Sequence, residues 1–275
     1  MRRTRLVLLT VLLATVTLPL AAQKHPNIEL GFNAEKLYQF TGLDSVNLFN
    51  GNLVVTIPIG RRYPVNDEFS YGLTLVYNSK VWDYEKIVVV QQGSGDDYYV
   101  GDPSRRSNAG LGWRLSLGRL LSPSAAATRY PFTDRPYWVY ESPAGDEHAF
   151  DTFDPAGNNA LVKVENGTSY LRMVKVTESL RKVEFPNGEV HEFTNMGTRW
   201  RLTKMRDRLG NEMTVSYTRD SSDRDLKWTL VDSQNRTHTV TFVNSSAMAS
   251  SIDRGQMVSS ISLAGIHQSA TYQFN

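Results

Sequence analysis

Leu202-Thr203-Lys204-Met205-Arg206-Asp207-Arg208-Leu209-Gly210-Asn211-Glu212-Met213-Thr214-Val215-Ser216-Tyr217 reads as strand, tight turn, strand and a closing aromatic. Gly210 supplies the positive φ that such a turn needs without a Cβ clash. The pattern recurs in Trp138–Phe150 around Gly145, in Val183–Phe193 around Gly188, and in Leu230–Phe242 around Asn235, the best non-glycine substitute. A looser copy runs from Ile261 through Gly265 to Tyr272. Tyr217, Phe242 and Tyr272 lie past their turns, where they are expected to fall on one face and stack along a growing sheet. Asn187-Gly188 is a hairpin signal by itself. A two-residue turn there would set Val183 against Glu192, so a bulge or longer loop is expected.

Upstream, short alternating runs closed by Gly, Pro, Asn or Asp continue the β pattern. Leu53–Ile57 is one, and Pro58 is expected at an edge or a strand terminus. Tyr71–Tyr77 alternates Leu73, Leu75 and Tyr77 against Thr74 and Val76. Trp113–Leu121 sets Trp113, Leu115 and Leu117 against Arg114 and Ser116. Between these two runs, Gln91–Asn108 reads as a long surface loop or an inserted hairpin. Ala34–Phe40 is the only stretch past the N-terminal segment with room for a helical turn or two. Ser122–Thr128 is taken as a link, dividing the chain into an N-terminal β domain, 23–128, and a hairpin strip, 129–275.

The chain has 275 residues, 40% hydrophobic and 11% aromatic, which excludes disorder, collagen and coiled coil and calls for a packed core. It has no Cys, which excludes disulfides, thiolate metal sites, a Cys nucleophile and an acylated lipoprotein anchor. Residues 1–22 read as a secretory signal peptide. Arg2, Arg3 and Arg5 precede an apolar run from Leu6 to Val16, and Pro19-Leu20-Ala21-Ala22 offers small residues before Gln23. The leucine-rich run favours unfolded export by the Sec route over the folded route that twin arginine would suggest, and it is short for a membrane span. Without those three Arg, the 30 basic residues become 27 against 28 acidic ones, and the formal charge of +2 becomes −1. Nucleic-acid binding loses its electrostatic footing. No membrane span is expected after signal removal, and the location is extracellular, cell-surface or periplasmic.

Asp207-Arg208-Leu209-Gly210-Asn211 with Tyr217 resembles the Asp-x-x-Gly-Asn…Tyr core of a tyrosine–aspartate (YD or RHS) repeat. Asn47–Leu53, Leu73–Ser79 and above all Gly110-Leu111-Gly112-Trp113 resemble the segment preceding such repeats in RHS proteins and in the B components of bacterial toxin complexes. The resemblance covers about residues 45–275. It implies an all-β protein of antiparallel hairpins: a β-sandwich-like N-terminal part followed by a curved strip of YD-like hairpins that winds into a shell wall. Its expected partners are the remaining shell segments or a C-terminal effector. The sequence departs from the family twice. Tyr217 is followed by Thr218 instead of Asp, and the Arg-x-Tyr-Asp-Pro core motif of self-cleavage is missing. An alternating Ala270-Thr271-Tyr272-Gln273-Phe274 at the end suggests a truncated gene, a short paralogue or a fragment of a longer protein.

Few constellations carry chemistry. His148, His191 and His238 recur after the turns and are the sharpest candidate for zinc, beside a bland reading as tolerated strand residues. Asp96-Asp97, Asp151–Asp154 and Asp220–Asp225 offer carboxylates for calcium or a glycosidase pair, yet complete no calcium loop. Solvated loop charge is the competing reading. Gly110-Leu111-Gly112 is nearest to a phosphate loop, but Trp113 opens a strand, so a tight corner is expected. Asn166, Asn235 and Asn244 match glycan acceptors formally and read as turns. Trp82, Trp138, Trp200 and Trp228 are candidates either for the core or for stacking on sugar rings. No catalytic residue, metal or cofactor is therefore assigned. The expectation is an exported, non-enzymatic structural module, with a carbohydrate- or protein-binding module as the alternative. An outer-membrane barrel ranks third, because its strands need about 9–11 residues with an apolar outer face.

Overall fold

An alternating strand buries one face only by packing against another layer, and these strands cover one another. A computed structural model describes residues 38–40, 44–47, 51–91, 94–103, 107–125, 137–150, 152–153, 160–162, 170–197, 199–244, 256–265 and 269–274. The expected signal peptide, residues 1–22, lies outside them. The described chain is all-β, and its pairings are antiparallel. None of its helices is long and apolar enough to cross a membrane.

Strands β1 (Tyr38–Phe40), β2 (Asp44–Asn47), β3 (Leu53–Pro64) and β4 (Ser70–Asn78) are followed by β5 (Trp82–Gln91), β6 (Ser94–Pro103) and β7 (Trp113–Leu115). A five-stranded sheet has the order β1-β2-β3-β4-β7, while β5 and β6 form a separate hairpin. The stretch before Trp113 is thus an inserted hairpin, and it starts earlier than expected, at Trp82 paired with Pro103. Tyr38–Phe40 is strand and not a helical turn, because Asn47, Val46 and Ser45 give it a partner. Nor does β3 stop at Pro58, which pairs with Thr74. Proline survives there because β2 reaches only to Val55, so this side of β3 needs no donor.

Trp113–Leu121 is broken where Gly118 takes φ 86°. Its first half is β7, and its second half, β8 (Arg119–Leu121), enters the other sheet. That 14-stranded sheet contains β9 (Trp138–Glu141), β10 (Glu147–Phe150), β11 (Thr152–Phe153), β12 (Ala160–Val162), β13 (Arg172–Lys175), β14 (Leu180–Glu184) and β15 (Val190–Met196). It continues through β16 (Arg199–Arg206), β17 (Glu212–Arg219), β18 (Asp225–Asp232), β19 (Thr237–Asn244), β20 (Gln256–Leu263) and β21 (Ala270–Gln273). From β11 to β21 each strand lies beside its sequence neighbour, and β8 bridges β16 and β9.

Both sheets feed one core. Tyr71, Leu73 and Leu75 of β4 join Leu115, Tyr140, Phe193, Leu202, Leu230, Val240 and Ile261 in a single buried cluster. Burial of each such side chain contributes about 1.5–3 kcal/mol, more than the exposed ion pairs between the sheets. Trp200 and Trp228 lie in this core and Trp138 packs on it, whereas Trp82 is 51% exposed.

Candidate functional site

Five turns of the strip share one construction. In Ser142–Asp146, Phe185–Glu189, Asp207–Asn211, Asp220–Arg224 and Asp232–Arg236, the first N–H donates to the fifth carbonyl. The fourth N–H donates to the first carbonyl. The fourth residue has positive φ in every case: Gly145, Gly188, Gly210, Asp223 at 62° and Asn235 at 59°. This is the three-residue hairpin loop closed by a left-handed residue. It sets Val183 against His191, so the turn at Asn187-Gly188 is longer than two residues, as expected. The looser copy differs: Leu263 pairs with Ala270 across residues 264–269.

Three of these turns begin with Asp, for a local reason. Oδ1 of Asp207 accepts the N–H of Leu209 and Asn211, and Asp232 does the same for Gln234 and Arg236. Asp220 serves Ser222 and Arg224. Oδ2 then takes the fifth side chain: Asn211 Nδ2 at 2.9 Å, Arg224 Nε at 2.7 Å and Arg236 Nε at 2.6 Å.

Because hairpins alternate ends, the turns at 207–211 and 232–236 lie side by side at one end of the sheet. The tip of the β3–β4 hairpin docks there. Asn66 Nδ2 donates to Asp207 Oδ2 at 2.7 Å, and Arg208 Nε donates to Glu68 at 2.8 Å. Gln234 Nε2 and Arg236 donate to the carbonyls of Val65 and Pro64. Tyr71 OH donates to Asp232 Oδ2 at 2.7 Å. Each of these two turn carboxylates therefore holds its own turn with one oxygen and shares the other with the docked hairpin.

The buried centre of this seam is a chain of three hydrogen bonds. His238 Nδ1 accepts the N–H of Ala264 at 3.0 Å, which assigns its proton to Nε2. Nε2–H then donates to Tyr71 Oη at 2.8 Å, and the phenol O–H donates in turn to Asp232 Oδ2. Tyr63 closes the site, its ring 4.3 Å from the imidazole and under the guanidiniums of Arg61 and Arg236. Burial raises the Tyr71 phenol, and Asp232 adds to this. Burial also raises the Asp232 carboxyl, but the hydrogen bonds from Tyr71 and Arg236 outweigh it and hold the group below the usual range. Burial lowers His238, with Asp232 opposing. The three side chains are buried, which suits a clasp between the two layers.

A pH dependence follows from these directions. The unfolded chain takes a proton on His238 near pH 6.5 while the folded chain resists it, so stability falls as pH drops below that value. Asp232 and Asp207, both held low, keep their contribution until pH falls below about 4. Thermal melts between pH 7 and 5 are expected to fall more steeply for the native chain than for His238→Gln. Parallel curves would remove His238 as the source.

The three histidines do not come together. His238 sits with Tyr63 and Tyr71, whereas His148 and His191 flank Tyr140, each bonded to its own turn carboxylate, Asp146 or Glu189. Their shared position two residues past a turn is real, but β15 and β19 lie four strands apart, roughly 19 Å. Zinc needs its ligands within about 2 Å of the metal. Among the described residues no three His, Asp or Glu are grouped to hold a metal ion.

Asp220–Asp225 is a turn, not a solvated acidic cluster. Asp220 holds Arg224, and Asp225 takes Arg201 Nε and Trp228 Nε1 at 3.0 Å each. Asp96 and Asp97 pair with Val89 and Val88 through the β5–β6 backbone; Asp151 and Asp154 lie outside the described residues, as does Asn166. Gly110–Gly112 is the expected corner, closed by Trp113 N–H donating to the Gly110 carbonyl at 2.9 Å.

No family model and no curated protein matches the chain. What the sequence reading missed is the seam itself. Its one available signal was the recurrence of Asp at the first turn position, at 207, 220 and 232.

Proposed function

We propose that the chain is an exported, non-enzymatic structural module of the RHS/YD type, a segment of β wall or surface scaffold. The supporting observation is the repeated Asp-anchored turn, whose second carboxylate oxygens at Asp207 and Asp232, shared with the turn's own fifth side chain, also fasten a second layer over the strip. The polar groups at the seam bind one another, and of the repeat aromatics Phe242 lies in the core and Tyr217 packs against it, while Tyr272 is 37% exposed. Remaining shell segments or a C-terminal effector are the partners this role would imply. A wall should unfold as one unit, so tryptophan fluorescence and far-UV circular dichroism are expected to give coincident transitions. Export predicts that protein recovered outside the producing cytoplasm begins at Gln23.

The alternative, a glycan- or protein-binding module, draws on the exposed aromatics Trp82 and Tyr170, at 51% and 75%. Trp82 opens β5, whereas Tyr170 precedes β13. A glycan array is expected to give no hits; hits abolished by Trp82→Ala would replace the scaffold with a lectin-like role.

A further inference from the structure

Arg181 of β14 is a buried charge that its surroundings do not balance. It is 8% exposed, with its guanidinium carbon 4.6 Å from the Trp138 ring centre and 5.0 Å from that of Trp200. The three side chains come from β14, β9 and β16, no two of which are paired. The indoles stand at 83° to each other with centres 5.3 Å apart, so the cation sits in an aromatic corner. Nη1 donates to the Thr177 carbonyl at 3.0 Å, in the turn between β13 and β14. Nε and Nη2 make no hydrogen bond among the described residues, and neither is sealed from water. Arg201, by contrast, holds Asp225, and the buried Glu141 is met by Arg119.

A desolvated cation is ordinarily retained where an anion pairs with it. Cation–π contact offsets part of the cost, yet burial still pulls the guanidinium below its usual range, with Glu178 opposing. Glu178 acts through space only, because its carboxylate is tied to Lys175. The open Nε–Nη2 side is the fork that receives a carboxylate through two parallel N–H···O bonds. One positive charge balances a monoanion. A phosphate dianion would call for a second cation, and Lys175, the cross-strand partner of Arg181, is already committed to Glu178. A sugar acid would call for an open indole face, but the guanidinium lies over both rings and Trp200 is buried.

We propose that Arg181 is a docking site for a carboxylate side chain of a neighbouring protein segment, received side-on by Nε and Nη2 in the corner of Trp138 and Trp200. Val176, exposed at the start of the same turn, offers the flanking chain an apolar contact. The site lies at the end of the sheet opposite the seam and does not depend on the scaffold role.

The test uses the full chain with acetyl-Gly-Glu-Gly-amide and its Gln counterpart as probes, at constant ionic strength. The Glu peptide is expected to move the Arg181 Nε–H and the Trp138 and Trp200 indole N–H resonances along one saturable curve. The Gln peptide and inorganic phosphate should leave them in place. Arg181→Lys keeps the charge but loses the fork, and is expected to bind at least about tenfold more weakly on the indole signals. Arg181→Met keeps an apolar stem beside the rings and should lose binding altogether. If either variant fails to fold, the peptide arms on the native chain decide alone. No saturable shift with the Glu peptide, equal shifts with the Gln peptide, or undiminished binding by Arg181→Met would each overturn the proposal. So would tighter binding of phosphate, or of glucuronate, which would make an acidic glycan the ligand.

Discussion

Asp232→Ala is expected to lower the unfolding free energy by about 3 kcal/mol, or about 6–12 °C in melting temperature for a chain of this size. The carboxylate is buried and accepts from Tyr71 OH, from Arg236 Nε and from the N–H groups of Gln234 and Arg236. Alanine removes all four acceptor contacts at once and strands the Tyr71 phenol in the seam. Tyr71→Phe breaks one link on each side, to His238 and to Asp232, and is expected to cost about 1–2 kcal/mol. The two changes should be less than additive, because the second removes contacts already lost. Asp220→Ala is the control. It removes the same turn anchor at the opposite end of the sheet from the β3–β4 tip, where the carboxylate is 18% exposed against 0% for Asp232, and should cost clearly less. Equal losses at 220 and 232 would mean that the carboxylates serve their turns alone and that the docked hairpin draws nothing from them.

The parts of the fold readable in the sequence are those whose cause is local. A turn that needs a left-handed residue announces itself through Gly145, Gly188, Gly210 and Asn235, and all four adopt positive φ. Asp223 does so too at 62°, but Asp is rarer in that conformation and the turn was hidden inside a run of charges. Period-two alternation identifies which face of a strand is buried, not which strand covers it. It could not show that Trp113–Leu121 changes sheets at Gly118, nor that Tyr71 reaches Asp232 across 161 residues. The histidines illustrate the same limit. Their equivalent positions past three turns were legible, while the distance between equivalent positions depends on the sheet order. Buried seams of this kind join residues with no shared local signature, so the most polar part of the core was the least predictable.

Gly112→Ala is expected to be the most damaging single change in the Gly-x-Gly-Trp passage, at about 3–4 kcal/mol. Two independent penalties meet there. The residue has φ 79°, which costs a side-chain-bearing residue about 1–2 kcal/mol. A Cβ would also lie 2.7 Å from Tyr77 Cε2, 2.8 Å from Val81 Cγ1 and 2.9 Å from the Asn78 carbonyl, and overpacking of this kind adds about 1–3 kcal/mol. The carbonyl cannot swing aside, because the corner is fastened to the end of β4: Asn78 N–H donates to the Gly112 carbonyl at 2.9 Å, and Gly112 N–H to Ser107 Oγ at 2.9 Å. Relief of the clash would pull Trp113 off Tyr77, whose ring lies 5.2 Å away, and loosen the β4–β7 pairing that precedes the change of sheet. Gly210→Ala separates the two penalties. Its φ of 87° carries the same backbone strain, but a Cβ there meets nothing within 4 Å, so about 1 kcal/mol is expected. Urea unfolding of both variants decides the matter. A Gly112→Ala midpoint no lower than that of Gly210→Ala would show that φ alone, and not the close approach of β4, demands glycine at the corner.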